Sequence, residues 1–196
     1  MSVAFHSEPP LSPLGDLGPY RLVDYAALPD EPRCELIRGR FYVTPSPFPA
    51  HQSISLILGR DLYAIARREG GRVFTAPLDV TLAEHSVVQP DILYVTKDRL
   101  GIVGPRGIEG APDLVVEVLS LGTARRDRRE KLALYAESGV REVWLVDPAG
   151  RQIEILANDD GRFVVVLPTS PRYRSTQLPQ VEIDFASFWN EVEVNG

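Results

Sequence analysis

A chain of 196 residues that is 44% hydrophobic and 24% charged has the balance of a folded globular protein, not of a disordered one. Its 27 acidic and 21 basic residues give a formal charge of −6, which argues against a protein that coats nucleic acid non-specifically. One cysteine, Cys34, excludes a disulfide framework and a multi-cysteine zinc site.

Further exclusions follow. The three histidines, His6, His51 and His85, have no metalloprotease spacing. The opening residues lack a basic start followed by an apolar run, and no stretch approaches the ~20 apolar residues of a membrane span. The expectation is a cytoplasmic protein with a reduced thiol and no membrane association. Of the 21 basic residues only Lys97 and Lys131 are lysines, so any role that needs an ammonium has two candidates.

In chain order, residues 1–19 carry Pro9, Pro10, Pro13 and Pro19 and read as a flexible arm. Residues 20–196 read as one α/β domain. A short helix is expected over 20–28, stopped by Pro29. A hairpin-like strand pair follows over 35–43, turning at Arg38-Gly39-Arg40. Pro45, Pro47 and Pro49 make an extended connector. Ile54, Leu58, Leu62 and Ile65 then fall at helical spacing, and Gly70-Gly71 closes that helix. Strand-like runs occupy 72–82, 87–96 and 113–119. Between the last two, Gly101, Gly104, Gly107 and Gly110 recur every third residue. No helix start follows to supply a dipole, so this is expected to be a mobile connector and not a phosphate loop. Thr123 suits the N-cap of a helix over 123–138 that ends at Gly139. Strands are expected over 140–146, 152–156 and 163–167, then a short strand and a helical turn over 181–194. The core order is helix, three strands, helix, strand, with extra strands at the edges.

Two carboxylates stand in unusual places. Asp91 follows Pro90 at the head of the apolar run Ile92-Leu93-Tyr94-Val95. Glu117 is embedded in Leu114-Val115-Val116-Glu117-Val118-Leu119. A strand this apolar is expected to be covered on both faces, where an uncompensated carboxylate costs several kcal/mol. A hard cation held by oxygens is one answer. Asp113 also follows a proline, but it lies four residues from Glu117 on one strand, ~13 Å away, whereas Asp91 can occupy a neighbouring strand. Lys97 is about 20 Å along the strand from Asp91. Lys131, at ~100° per residue, falls in the middle of the arc holding Leu132, Leu134 and Tyr135, so it points inward. Its partner is either Asp127, one turn earlier, or the acidic site. A structural ion pair of Lys131 with Asp127 fits these residues as well as a catalytic set does. Trp144 and Trp189 read as core or interface anchors, and Cys34 as packing.

These residues, in this order, resemble the PD-(D/E)xK nuclease superfamily with its restriction-endonuclease-like fold, and more closely the Uma-two family of restriction endonucleases. The matching segments are Glu35-Leu36-Ile37-Arg38-Gly39, His51 at a helix start, Val88-Gln89-Pro90-Asp91-Ile92, 112–120, then Asp127, Lys131 and Tyr135, and 139–148. The resemblance covers residues 20 to 190. It implies a metal-dependent endonuclease hydrolysing phosphodiester bonds of DNA. Asp91 and Glu117, with the backbone carbonyl near Val118, would bind Mg²⁺ or Mn²⁺, and Lys131 would be the third catalytic group. The superfamily places that lysine two residues after the acid. Here that position is Leu119, and the lysine has moved to the following helix. Glu35, His51 and Asp127 are accessory candidates. Arg125 and Arg128 belong to a basic stretch beside the site and are candidates for contact with nucleic acid.

Two other readings compete. One is a nuclease-fold binding or regulatory module without turnover. The other is a homodimeric interaction protein pairing through hydrophobic edge strands at 153–156 and 164–167. A homodimer also suits the nuclease reading, because cutting two strands suits a two-fold axis.

Overall fold

The computed structural model describes residues 17–29, 31–120 and 127–195, apart from the side chains of residues 127, 128, 194 and 195. The expected 1–19 arm therefore falls almost entirely outside the described residues. Helix α1 (Leu22–Ala26) leads into the hairpin β1 (Cys34–Ile37) and β2 (Arg40–Val43). Helix α2 (Pro49–Glu69) follows, then strands β3 (Arg72–Thr75), β4 (Val80–Ala83), β5 (Ser86–Val88) and β6 (Ile92–Val95). A 3₁₀ helix (Lys97–Ile102) precedes β7 (Ile108–Glu109) and β8 (Leu114–Val118). A π-helical turn (Asp127–Lys131) runs into α3 (Leu132–Ser138), followed by β9 (Glu142–Asp147), β10 (Gln152–Asp159), β11 (Arg162–Val166), β12 (Arg172–Arg174), β13 (Glu182–Asp184) and α4 (Phe185–Asn195).

Proline at the first turn and an apolar stripe account for α2, which buries Ile54, Leu58, Leu62 and Ile65 as the spacing requires. It ends where Gly70 adopts φ 78°, a left-handed conformation that costs glycine little.

The strands form a mixed α/β fold with two main sheets. The larger has the order β11-β10-β9-β8-β6-β3, and the smaller β2-β1-β5-β4-β7. Within the larger sheet β8 pairs antiparallel with β6 and parallel with β9, and the connection to β9 passes through α3. The expected core order of α2, three strands (β3, β6, β8), α3 and β9 is thus present. Two cores flank this sheet. On one face Ile92, Val116, Trp144 and Ile155 pack against α2 and against Phe188 of α4. On the other, Leu93, Val115, Val143 and Leu145 pack against Tyr135 of α3 and against Ile37, Val80 and Val88 of the smaller sheet. Strand β8 is buried at every position, as expected of an apolar strand covered on both sides.

Three expectations need correction. The runs at 72–82 and 87–96 are not single strands. Each divides between the two sheets, at Pro77 and at Pro90, since proline cannot donate to a ladder. The glycine-rich stretch at 101–110 is no loose connector. It holds the end of the 3₁₀ helix and β7, which pairs parallel with β4. Gly107 there permits close approach, since a Cβ would lie 2.6 Å from the carbonyl oxygen of Asp79. Strand β10 is not an edge, because it lies between β9 and β11, so only 164–167 of the two expected edges belongs to one. The short strand β12 was not expected. No helix among the described residues is long and apolar enough to cross a membrane.

One buried carboxylate serves the fold. Glu142 at the head of β9 has no exposed surface. It accepts hydrogen bonds from Trp144 Nε1 (2.6 Å), Ser175 Oγ (2.6 Å) and Tyr173 Oη (3.1 Å), which tie β12 and the turn after it to the larger sheet. Burial pushes the Glu142 carboxyl above its ordinary value of 4.5, and the three donors only partly oppose this. The native chain then keeps this proton to higher pH than the unfolded chain. The stability this group contributes is complete below pH 4.5 and is lost as pH rises through the raised native value. Urea unfolding across this range should show the wild-type midpoint falling with pH relative to that of Glu142→Gln. A difference between the two that is constant with pH would contradict the assignment.

Candidate active site

A cleft of ≈350 Å³ opens where the two sheets meet the start of α2. Glu35, His51, Asp91, Glu117, Val118 and Lys131 all line it. They arrive from five parts of the fold, Glu117 and Val118 together on β8. Glu35 lies on β1 in the smaller sheet, Glu117 on β8 at the centre of the larger one, and Lys131 at the end of the π-helical turn. Asp91 lies in the three-residue passage Gln89-Pro90-Asp91 by which the chain leaves β5 and enters β6. Ile92 pairs with Val116, so one further step of the register sets Asp91 opposite Glu117. Two carboxylates brought to neighbouring positions repel when both are ionised.

The chain compensates them with charge and donated hydrogen bonds. Lys131 Nζ lies 2.7 Å from Glu117 Oε1 and 2.9 Å from Glu35 Oε1. All three side chains are at most 4% exposed. Tyr135 Oη donates to the same Glu117 oxygen at 2.6 Å, and the main-chain N–H of Gln89 donates to Glu35 Oε1 at 2.8 Å. Removing a partner from a buried group of this kind costs about 3–5 kcal/mol, because an uncompensated charge remains. Asp91 is held differently. Its Oδ2 accepts from Val118 N–H at 2.7 Å and lies 3.1 Å from His51 Nε2. With Nε2 protonated the ring donates to Asp91, and His51 Nδ1 remains buried with no hydrogen-bond partner.

Three carboxylates, Glu35, Asp91 and Glu117, share this cleft with the Lys131 ammonium and with Arg33. Among the described residues no group of three or more His, Cys, Asp or Glu is placed to hold a metal. The donor chemistry of the cleft nevertheless suits a hard divalent cation. Mg²⁺ commonly takes one or two carboxylates and fills its remaining positions with water and phosphate oxygens. Asp91 and Glu117 offer two carboxylates on the wall of this cleft.

The sequence singled out nine residues, and six of them meet in this cleft. The side chains of Asp127, Arg125 and Arg128 lie outside the described residues. Asp113, the rival acid, is spent elsewhere. It is fully buried and takes Arg99 at 3.1 Å, Arg141 at 3.2 Å and the Thr96 N–H at 2.8 Å. Lys97 is exposed at the start of the 3₁₀ helix. Given no role by the sequence, Tyr135 and Gln89 prove to support the site. Tyr135 is one helical turn from Lys131, and Gln89 is two residues before Asp91. Arg33 shows no signal in the sequence at all.

The sequence pattern of the Uma2 family, described as "Putative restriction endonuclease", matches residues 22–188. Among solved structures, a putative nuclease belonging to DUF820 from Anabaena variabilis has a similar fold, with a TM-score of 0.73 at 19% identity, over 89% of this chain and 99% of that one. No curated protein matches the chain.

Proposed function

From its membership of the Uma2 family, a family of nucleases, we propose that this chain is a metal-dependent endonuclease hydrolysing phosphodiester bonds of DNA. The observation that carries the reading is the meeting of Asp91, Glu117 and Lys131 in one cleft, from two strands and a helical turn. Asp91 and Glu117, with the main-chain carbonyl of Val118, would hold Mg²⁺ or Mn²⁺, which when bound lowers the pKa of a water and offsets charge on the phosphate.

The chain's own groups do the rest. Lys131 places a compact ammonium at the wall of the cleft, where it stabilises charge that develops on the phosphate. Glu35 and Tyr135 are positioning residues. Glu35 holds the ammonium from the side opposite Glu117, and Tyr135 fixes the Glu117 carboxylate by its hydrogen bond. His51 and the Val118 N–H orient Asp91 in the same way. Leu119 occupies the position where the superfamily pattern has its lysine, and Lys131 brings an ammonium to Glu117 from the following helical turn instead. A domain spanning 20–196 that acts in the reducing cytoplasm, with Cys34 buried and unpaired, completes the proposal.

The proposal includes a homodimer. Strand β11 is an edge of the larger sheet, and Val164, Val165 and nearby Leu167 are 47%, 56% and 81% exposed. An unpaired apolar edge of this kind invites a second copy. Sedimentation equilibrium should give a dimer for the wild type and a monomer for Val165→Lys. A wild-type monomer at high concentration would remove the dimer from the account.

For catalysis the test is plasmid nicking with Mg²⁺ or Mn²⁺. Wild type should cut, and Glu117→Gln, with a wild-type circular dichroism spectrum, should cut about a hundredfold more slowly or worse. Cutting that survives the substitution, or that neither metal supports, would contradict the proposal. A folded chain that cuts with neither metal would favour the module without turnover.

A further inference from the structure

Beside the candidate active site lies a second cleft, of ≈390 Å³, a size that suits a nucleotide-scale ligand. Arg33 and Gln89 line both clefts, so the two are neighbours across these residues. The second cleft is bounded by α1, β1 and the ends of β4 and β5, and by Arg106 from the loop before β7.

Its chemistry has two parts. The first is a fixed polar cluster. Asp79 Oδ1 accepts hydrogen bonds from Tyr25 Oη at 2.8 Å and from Gln89 Nε2 at 2.8 Å. Burial and the bond to Asp79 push the Tyr25 hydroxyl well above its ordinary range, so it stays a donor. A carboxylate has about four acceptor positions, and these donors engage one of its two oxygens. The second part is cationic. Arg33, which is half-buried, and Arg106, which is exposed, both line this cleft. What singles out Arg33 and Arg106 among the chain's arginines is their place on this cleft. Two guanidiniums on one cleft that adjoins the candidate active site fit the backbone of a nucleic acid.

Resting on the endonuclease reading above, we propose that the second cleft holds the nucleotide next to the cleaved bond. Arg33 takes the phosphate between the clefts, Arg106 takes the following one, and Asp79 with Gln89 reads the base. Asp79 can accept a hydrogen bond only from a base edge that offers a donor, and on the major-groove edge those are cytosine and adenine, through their exocyclic amines. Gln89 also joins this cleft to the first, because its main-chain N–H holds the Glu35 carboxylate that contacts Lys131.

The test is fluorescence anisotropy of a labelled mixed-sequence DNA duplex with the full chain carrying Glu117→Gln, in Mg²⁺, over a range of salt. Adding Arg106→Ala should weaken binding about threefold to tenfold and reduce the slope of log K against log [salt] by about one. Arg67→Ala, the same loss of charge at the far end of α2 and outside both clefts, should leave the slope as it was. In wild-type cleavage maps Asp79→Asn should relax a preference for cytosine or adenine beside the cut. Asp79 also anchors α1, so its variant is checked by thermal melting. Arg106 is an exposed loop residue and carries the test independently. If the parent binds duplex and neither Arg106→Ala nor Arg33→Ala changes affinity or slope, the second cleft is off the path of the nucleic acid while the endonuclease reading stands. If the parent binds no duplex and wild type cuts none, both fall together.

Discussion

A carboxylate at the centre of a strand buried on both faces is the constraint on which this molecule is organised. Glu117 has an apolar residue on either side of it in β8, and water reaches only 4% of its side chain. Leaving it there uncompensated would cost several kcal/mol. The compensation is the Lys131 ammonium, which is as buried as the acid it serves and is shared with Glu35. Glu35 belongs to the smaller sheet, Glu117 to the larger, and Lys131 to the helical turn between β8 and β9. One ammonium therefore joins three separate pieces of the fold. A buried ion pair of this kind is a poor source of stability, since well-packed apolar side chains would often do as well. Its presence here is better explained by what it positions than by what it stabilises.

Asp91 depends on a different device. It lies where the chain passes from one sheet to the other, and Pro90 lacks the N–H that would continue a ladder. At the head of β6, the Asp91 side chain takes its hydrogen bonds from Val118 and His51. Asp113 shows the alternative outcome. It too follows a proline, yet two arginines and a main-chain N–H satisfy it completely, and it is absent from the cleft. Two acids with the same local sequence thus divide by their surroundings: one is spent on the fold, and the other faces open space.

Local patterns made much of this legible. The apolar spacing of 54, 58, 62 and 65 gave α2, and the unbroken apolar run around Glu117 gave a strand covered on both sides. The helical angle of Lys131 gave its inward direction. Local patterns could not show which sheet a strand joins. An alternating run states which residues share a face and nothing about its partners, so 72–82 and 87–96 read as continuous while the structure divides each of them. The pairing of Lys131 with Glu35 was equally hidden, because the two are 96 positions apart and no periodicity links them. The choice between Asp127 and the acidic site as partner of Lys131 could not be made from the helix alone. Arg33 is an ordinary arginine until the fold places it between two clefts.

The central claim is that Asp91 and Glu117 act as one cation-binding pair, with Lys131 held beside them. Calorimetric titration with Mn²⁺ tests it without depending on any substrate. Wild type should bind one ion per chain, and Asp91→Asn and Glu117→Gln, each with a wild-type melting profile, should each lose it. Binding that persists in both variants, or a folded wild type that binds no Mn²⁺ even at millimolar concentration, would contradict the account.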